Sequence, residues 1–136
     1  MAQTEPRMLE LREHQGENGA LLPFNFADLP FAPRHAFYVR GVPVGEVRGR
    51  HAHRSCEQLL FAISGSISVS TDDGDEKRKF LLNQPTQGLF LPKMVWGEQE
   101  YRDEESALLV FASEPYAAER YIEDFDTFLE LRSLWR

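Results

Sequence analysis

Cysteine is nearly absent. The single Cys56 excludes an internal disulfide framework, so a reducing compartment suits the chain. Long apolar runs are missing as well: nothing approaches the ~18 residues that a membrane-spanning helix needs, so no membrane partner is expected. The opening MAQTEPRMLELREHQ mixes charges of both signs without an apolar centre and does not read as a secretory signal. A cytoplasmic protein is the expectation. A basic surplus is also lacking. With 22 acidic against 15 basic residues the formal charge is −7, whereas a nucleic-acid surface calls for the opposite sign. That balance leaves room for a single nucleotide, whose phosphates one or two arginines can hold. Helical periodicity is scarce until the end of the chain, and no repeat, low-complexity segment or linker divides it.

What is present is globular. A chain of 136 residues with 42% hydrophobic and 12% aromatic residues supports one core, so a single domain over 1–136 is expected. Short segments bounded by turn residues fill the middle, which is the all-β pattern. RHAFYVR (34–40), EVRGRHAHR (46–54) and QLLFAIS (58–64) read as strands. GSISVST (65–71) alternates Ile67, Val69 and Thr71 against Ser66, Ser68 and Ser70. Asp73-Gly74 marks a hairpin turn. KRKFLL (77–82) follows as a strand, and its basic run Lys77, Arg78, Lys79 reads as a solvated edge. GLFLP (88–92), MVWGEQEY (94–101) and SALLVFAS (106–113) add further strands. Tyr121, Phe125, Phe128 and Leu129 recur at helical spacing and predict a C-terminal helix. Eight or so strands and one helix point to a closed or sandwiched barrel of jelly-roll type, enclosing a cavity lined by alternate residues.

His51 and His53 stand one residue apart on one of these strands. A metal site, a proton-transfer site and an idle solvent-facing pair all fit that bare fact. Residues i and i+2 share a strand face, with Cα atoms about 6.5–7 Å apart, too far to bond each other but suited to flank one small ring. Unbroken alternation puts Val47 and Gly49 on that face, and Arg48, Arg50 and Ala52 on the other. Cys56 reads as a small apolar filler rather than a nucleophile.

The order Gly45, His51-Ala52-His53, Glu57, Gly65 resembles the first cupin motif. Metal-binding cupins would add a later histidine, but none follows His53, leaving only His51, His53 and Glu57 as an open triad. The likeness tightens over FYVRGVPVGEVRGRHAHRSCEQLL, GSISVSTDDG, GLFLPKMVWGE and ASEPYAAERYIEDFDTF. Together these resemble the dTDP-4-keto-6-deoxyglucose 3,4-ketoisomerases, also called WxcM-like sugar isomerases. The resemblance implies a single cupin barrel, a homodimer, no cofactor or metal, and a dTDP-linked keto-deoxysugar as ligand. It implies that His51 and His53 are the acid/base pair, with His51 moving the proton between C3 and C4 and His53 handling hydroxyl protons or orienting the sugar. Tyr38 and Arg48 are the substrate contacts it suggests; read as residues, Trp96 suits stacking on a base or sugar and Gln58 the cavity lining, although Tyr38 and Trp96 also suit a barrel core, Arg48 a solvated or interface charge and Gln58 a turn cap. At Gly97 the family commonly has a larger polar residue, so a water or Glu98 is left to fill the space. Asn18 is the other expected pocket position that departs from the pattern. Two alternatives remain: a related isomerase or epimerase acting on another nucleotide sugar, or a cupin that binds a metabolite or metal without this turnover.

Overall fold

The computed structural model describes residues 4–135. Strand β1 (Arg7–Glu10) is followed by a small hairpin of β2 (His14–Gly16) and β3 (Gly19–Leu21). The barrel strands are β4 (His35–Arg40), β5 (Val47–His53), β6 (Gln58–Ser64), β7 (Ile67–Asp72), β8 (Lys77–Leu82), β9 (Gln87–Leu91), β10 (Trp96–Tyr101) and β11 (Ala107–Ala112). A two-residue strand, β12 (Tyr121–Ile122), and helix α1 (Phe125–Leu134) close the chain.

Two five-stranded antiparallel sheets face each other, in the orders β1-β9-β6-β11-β4 and β12-β5-β10-β7-β8. Period-2 patterning decides which side chains meet between them. Leu60 and Ala62 of β6, Ile67 and Val69 of β7, Leu89 and Leu91 of β9, and Leu108 and Val110 of β11 form the shared core. Ser70, on the other face of β7, is exposed. The β7–β8 turn is locked by Asp73, whose Oδ1 accepts from the amides of Asp75 and Glu76 at 2.9 and 2.8 Å. Strand β8 is an edge, as its basic run suggests, and Arg78 there pairs with Asp73, Glu76 and Glu5.

One region differs from the sequence reading. Tyr121 is not helical: the Asp124 carboxylate caps the Thr127 amide at 2.9 Å and starts the helix after Tyr121, which instead pairs with His53 across a strand ladder. Phe128 is fully buried against Trp96, Met94, Ala52 and Ile122, while Leu129, expected on the same stripe, is 37% exposed. The segment ALLPFNFADLPF (20–31) lies along the outside of the first sheet. Its Phe24, Leu29 and Phe31 pack on the outer face of the first sheet, against Phe61, Phe90 and Phe111.

Candidate active site

Strand β5 carries the histidines along the second sheet, and its alternation is broken once. Gly97 of β10 stands opposite His51, but the next residue, Glu98, stands opposite Gly49, so Arg50 is an extra residue in a β-bulge. Gly49 and Arg50 both take positive φ, +90° and +55°. The bulge resets the side-chain parity. Arg48, expected on the far face, therefore shares the inner face with His51 and lies opposite Gln99. This corrects the alternation expected from sequence and brings a guanidinium to the cavity mouth.

The His51 and His53 rings are perpendicular, with centroids 4.9 Å apart. His51 Nδ1–H donates to the Gly49 carbonyl at 2.9 Å, which fixes the tautomer and leaves Nε2 as the basic atom. Burial is the main reason the His51 pKa falls below 6.5, only partly offset by the Gly49 hydrogen bond and the Glu123 charge. His53 is 5% exposed. Burial first, and the neighbouring His51 second, lower its pKa to about 4. Both imidazoles are uncharged at neutral pH.

The two rings serve different spaces. His51 lines a cavity of about 200 Å³ together with Phe37, Arg48, Gln58, Gln99 and Tyr121. His53 lines an adjoining chamber of about 10 Å³, the room of one water molecule, with Cys56, Gln58, Glu114 and Tyr121 among its walls. Gln58 is buried and borders both, as a cavity residue should.

Other expected contacts lie elsewhere. Tyr38 is 60% exposed and stands opposite Leu109, whose other partner is Phe61 of the outer cluster. It therefore points outward from edge strand β4, and its neighbour Phe37 is the aromatic that faces the cavity. Trp96 is buried on the outer side of the second sheet against Phe125 and Phe128. Its Nε1 donates to Glu98 at 2.9 Å, so Glu98 does not reach toward the histidines either. Gly97 is placed across from His51, where an added Cβ would meet Leu91 Cδ2 at 3.2 Å. Asn18 lies in the exposed β2–β3 turn, outside the cavity. Cys56 is buried, with Sγ 3.4 Å from the Glu57 carbonyl oxygen. Glu57 lines neither space, and among the described residues no three His, Cys, Asp or Glu side chains gather as a metal site.

Sequence reasoning missed Phe37, Gln99 and Tyr121. Gln99 was accessible in principle, because it is two residues from Gly97 and shares its face. Phe37 differs from Tyr38 only by strand register, and Tyr121 is hidden by the helical spacing around it.

Fold and site together define a cupin-type jelly-roll barrel that presents one uncharged imidazole, His51, to a cavity of about 200 Å³, with a second, His53, in the chamber behind it. The family model described as FdtA: WxcM-like, C-terminal, matches residues 4–133, and the chain belongs to that family. Among curated proteins, a TDP-4-oxo-6-deoxy-alpha-D-glucose-3,4-oxoisomerase from Aneurinibacillus thermoaerophilus is 33% identical over 101 residues, covering 74% of this chain and 73% of that one. A 3,4-ketoisomerase from Helicobacter canadensis superposes with a TM-score of 0.91 at 30% identity, covering 96% of this chain and 99% of the other. A histidine-to-asparagine mutant of the 3,4-ketoisomerase QdtA from Thermoanaerobacterium thermosaccharolyticum, in complex with TDP-4-keto-6-deoxyglucose, superposes with a TM-score of 0.92 at 27% identity, covering 99% of this chain and 98% of that one. No helix among the described residues is long and apolar enough to cross a membrane.

Proposed function

We propose that this protein converts a dTDP-linked 4-keto-6-deoxyhexose into its 3-keto isomer by proton transfer through an enediol. The observation that carries this reading is His51: a neutral imidazole, its tautomer set by Gly49, opening on a cavity of about 200 Å³ with polar groups around it. The named relatives support the substrate class. His51 Nε2 takes the proton from C3, and the freed electron pair forms the C3–C4 double bond as the C4 oxygen gains charge. The same nitrogen returns the proton at C4. The O3 proton passes to O4, which leaves a ketone at C3 and a hydroxyl at C4. The sugar is its own oxidant and reductant, so proton movement alone balances the reaction. Arg48, Gln58 and Gln99 are the donors available to the enediolate oxygen. His53, one ring further in, exchanges hydroxyl protons or orients the sugar. The single domain acts as a homodimer in the cytoplasm in this reading.

The test is proton NMR of the protein with dTDP-4-keto-6-deoxyglucose in D₂O. Deuterium at C3 or C4 with a new 3-keto signal is the expected result, and the C4 coupling then reports the gluco or galacto configuration left open at Gly97. His51→Asn should lower the exchange rate by ~10²–10⁴. Binding without exchange in the wild type overturns the catalytic reading.

A further inference from the structure

Tyr121 stands outside the expected catalytic set, yet it touches both members of the pair. Its ring centroid lies 4.8 Å from that of His51 and 4.4 Å from that of His53. The backbone accounts for this placement: β12 pairs with the end of β5, Tyr121 directly opposite His53, and the Arg54 amide donates to the Arg120 carbonyl at 3.0 Å just beyond. Tyr121, Phe37 and Gln58 are the side chains that wall both the 200 Å³ cavity and the chamber behind it. Of these, Tyr121 is the one in ring contact with both histidines.

The orientation of His53 calls for such a contact. Its Nε2 is buried with no protein group to bond it, so ring packing bears on how the plane is held. His51 is tied at Nδ1, but its other edge is free to open toward the cavity. A phenol ring wedged against both rings limits their rotation and keeps solvent from their faces. We propose that Tyr121 is a positioning residue, whose ring fixes the perpendicular arrangement of His51 and His53 and separates His53 from the substrate cavity.

Titratable and charged groups surround the pair from several elements. Arg48 approaches from β5 and His35 from β4; Cys56 lies beyond β5; Glu114, Tyr116 and Arg120 lie on the segment after β11, and Glu123 follows β12. Desolvation nevertheless leads for both histidines, and the Tyr121 ring is a contiguous source of it. Removing the ring therefore changes the proton affinity of both imidazoles in one direction, upward.

The kinetic arm of the test rests on the isomerase reading; the titration arm does not. Imidazole proton resonances are followed against pH by NMR in substrate-free wild type, Tyr121→Phe and Tyr121→Leu, with assignments from His51→Asn and His53→Asn. Tyr121→Phe keeps the ring and should keep both titrations in place. In Tyr121→Leu the His53 titration should rise from about 4 by about one unit or more, the His51 titration moving with it. The acid limb of kcat in Tyr121→Leu should shift upward in step. If Tyr121→Leu does not fold, Tyr121→Met supplies bulk without a ring and is read in its place. Unmoved titrations in the ring-less variant overturn the proposal, and so does a shift in Tyr121→Phe as large as in Tyr121→Leu, which would assign the effect to the hydroxyl. Shifted titrations in a protein that shows no isomerisation would leave Tyr121 as the positioning residue and sink only the proposed reaction.

Discussion

At Gly49 the backbone takes a φ of +90°, and a Cβ built there would stand 3.0 Å from Gln99 Nε2 and 3.1 Å from the Gly97 carbonyl oxygen. The same residue supplies the carbonyl that holds His51 Nδ1. Gly49→Ala should thus strain the bulge, press on a backbone atom that cannot swing aside and disturb the carbonyl that holds the His51 ring. A loss of about 1–2 kcal/mol of stability is expected from the φ alone, read from the urea midpoint. Activity should fall further than stability does; a variant with wild-type turnover would show that the bulge does not set the ring. The histidines themselves were legible, because two titratable residues at period 2 on a strand must share a face. Arg48 was not. One inserted residue, Arg50, reverses the parity of everything before it, and sequence patterning has no means of seeing an insertion that only the partner strand defines. Phe37 and Tyr38 show the same limit: two adjacent aromatics suit either face, and pairing with Leu109 and Val110 decides between them.

At the scale of elements, β6 and β8 match their expected segments to the residue, because β6 is an apolar run ended by Ser64-Gly65 and β8 follows the strong Asp73-Gly74 turn signal. Strand β12 is too short to carry a pattern, and β1 gains its structure from pairing with β9 rather than from alternation of its own. The outer face of the first sheet is the element-level feature that bears on assembly. Phe26 and Tyr38 are 51% and 60% exposed beside the cluster of Phe61 and Phe111. A homodimer formed through this face would cover them. Sedimentation velocity should give a dimer for the wild type and a monomer for the Phe26→Glu/Tyr38→Glu double variant. A wild-type monomer at micromolar concentration would remove the dimer from the proposed function.

For the whole molecule, burying uncharged imidazoles ties stability to pH. The folded chain holds His53 near 4, against 6.5 for the free side chain. Between those values the unfolded chain binds a proton that the folded one refuses. Stability is therefore full above pH 6.5 and is lost progressively as the pH falls toward 4, by roughly 3 kcal/mol for this one group. His51, shifted the same way, adds to the loss. Urea unfolding at pH 7.5 and pH 5 should show the decline in the wild type and a shallower one in His53→Asn; equal slopes would mean that His53 is solvated in solution.

The pairing of β12 with β5 has a consequence for how the protein comes into being. His53 and Tyr121 lie far apart in the chain, so a ribosome delivers the histidine strand some seconds before the segment that covers it. Until then the β12 side of β5 is uncovered, and both imidazoles are open to water. Competence therefore arrives late in synthesis, when a two-residue strand docks on an edge that β10 completed only shortly before it.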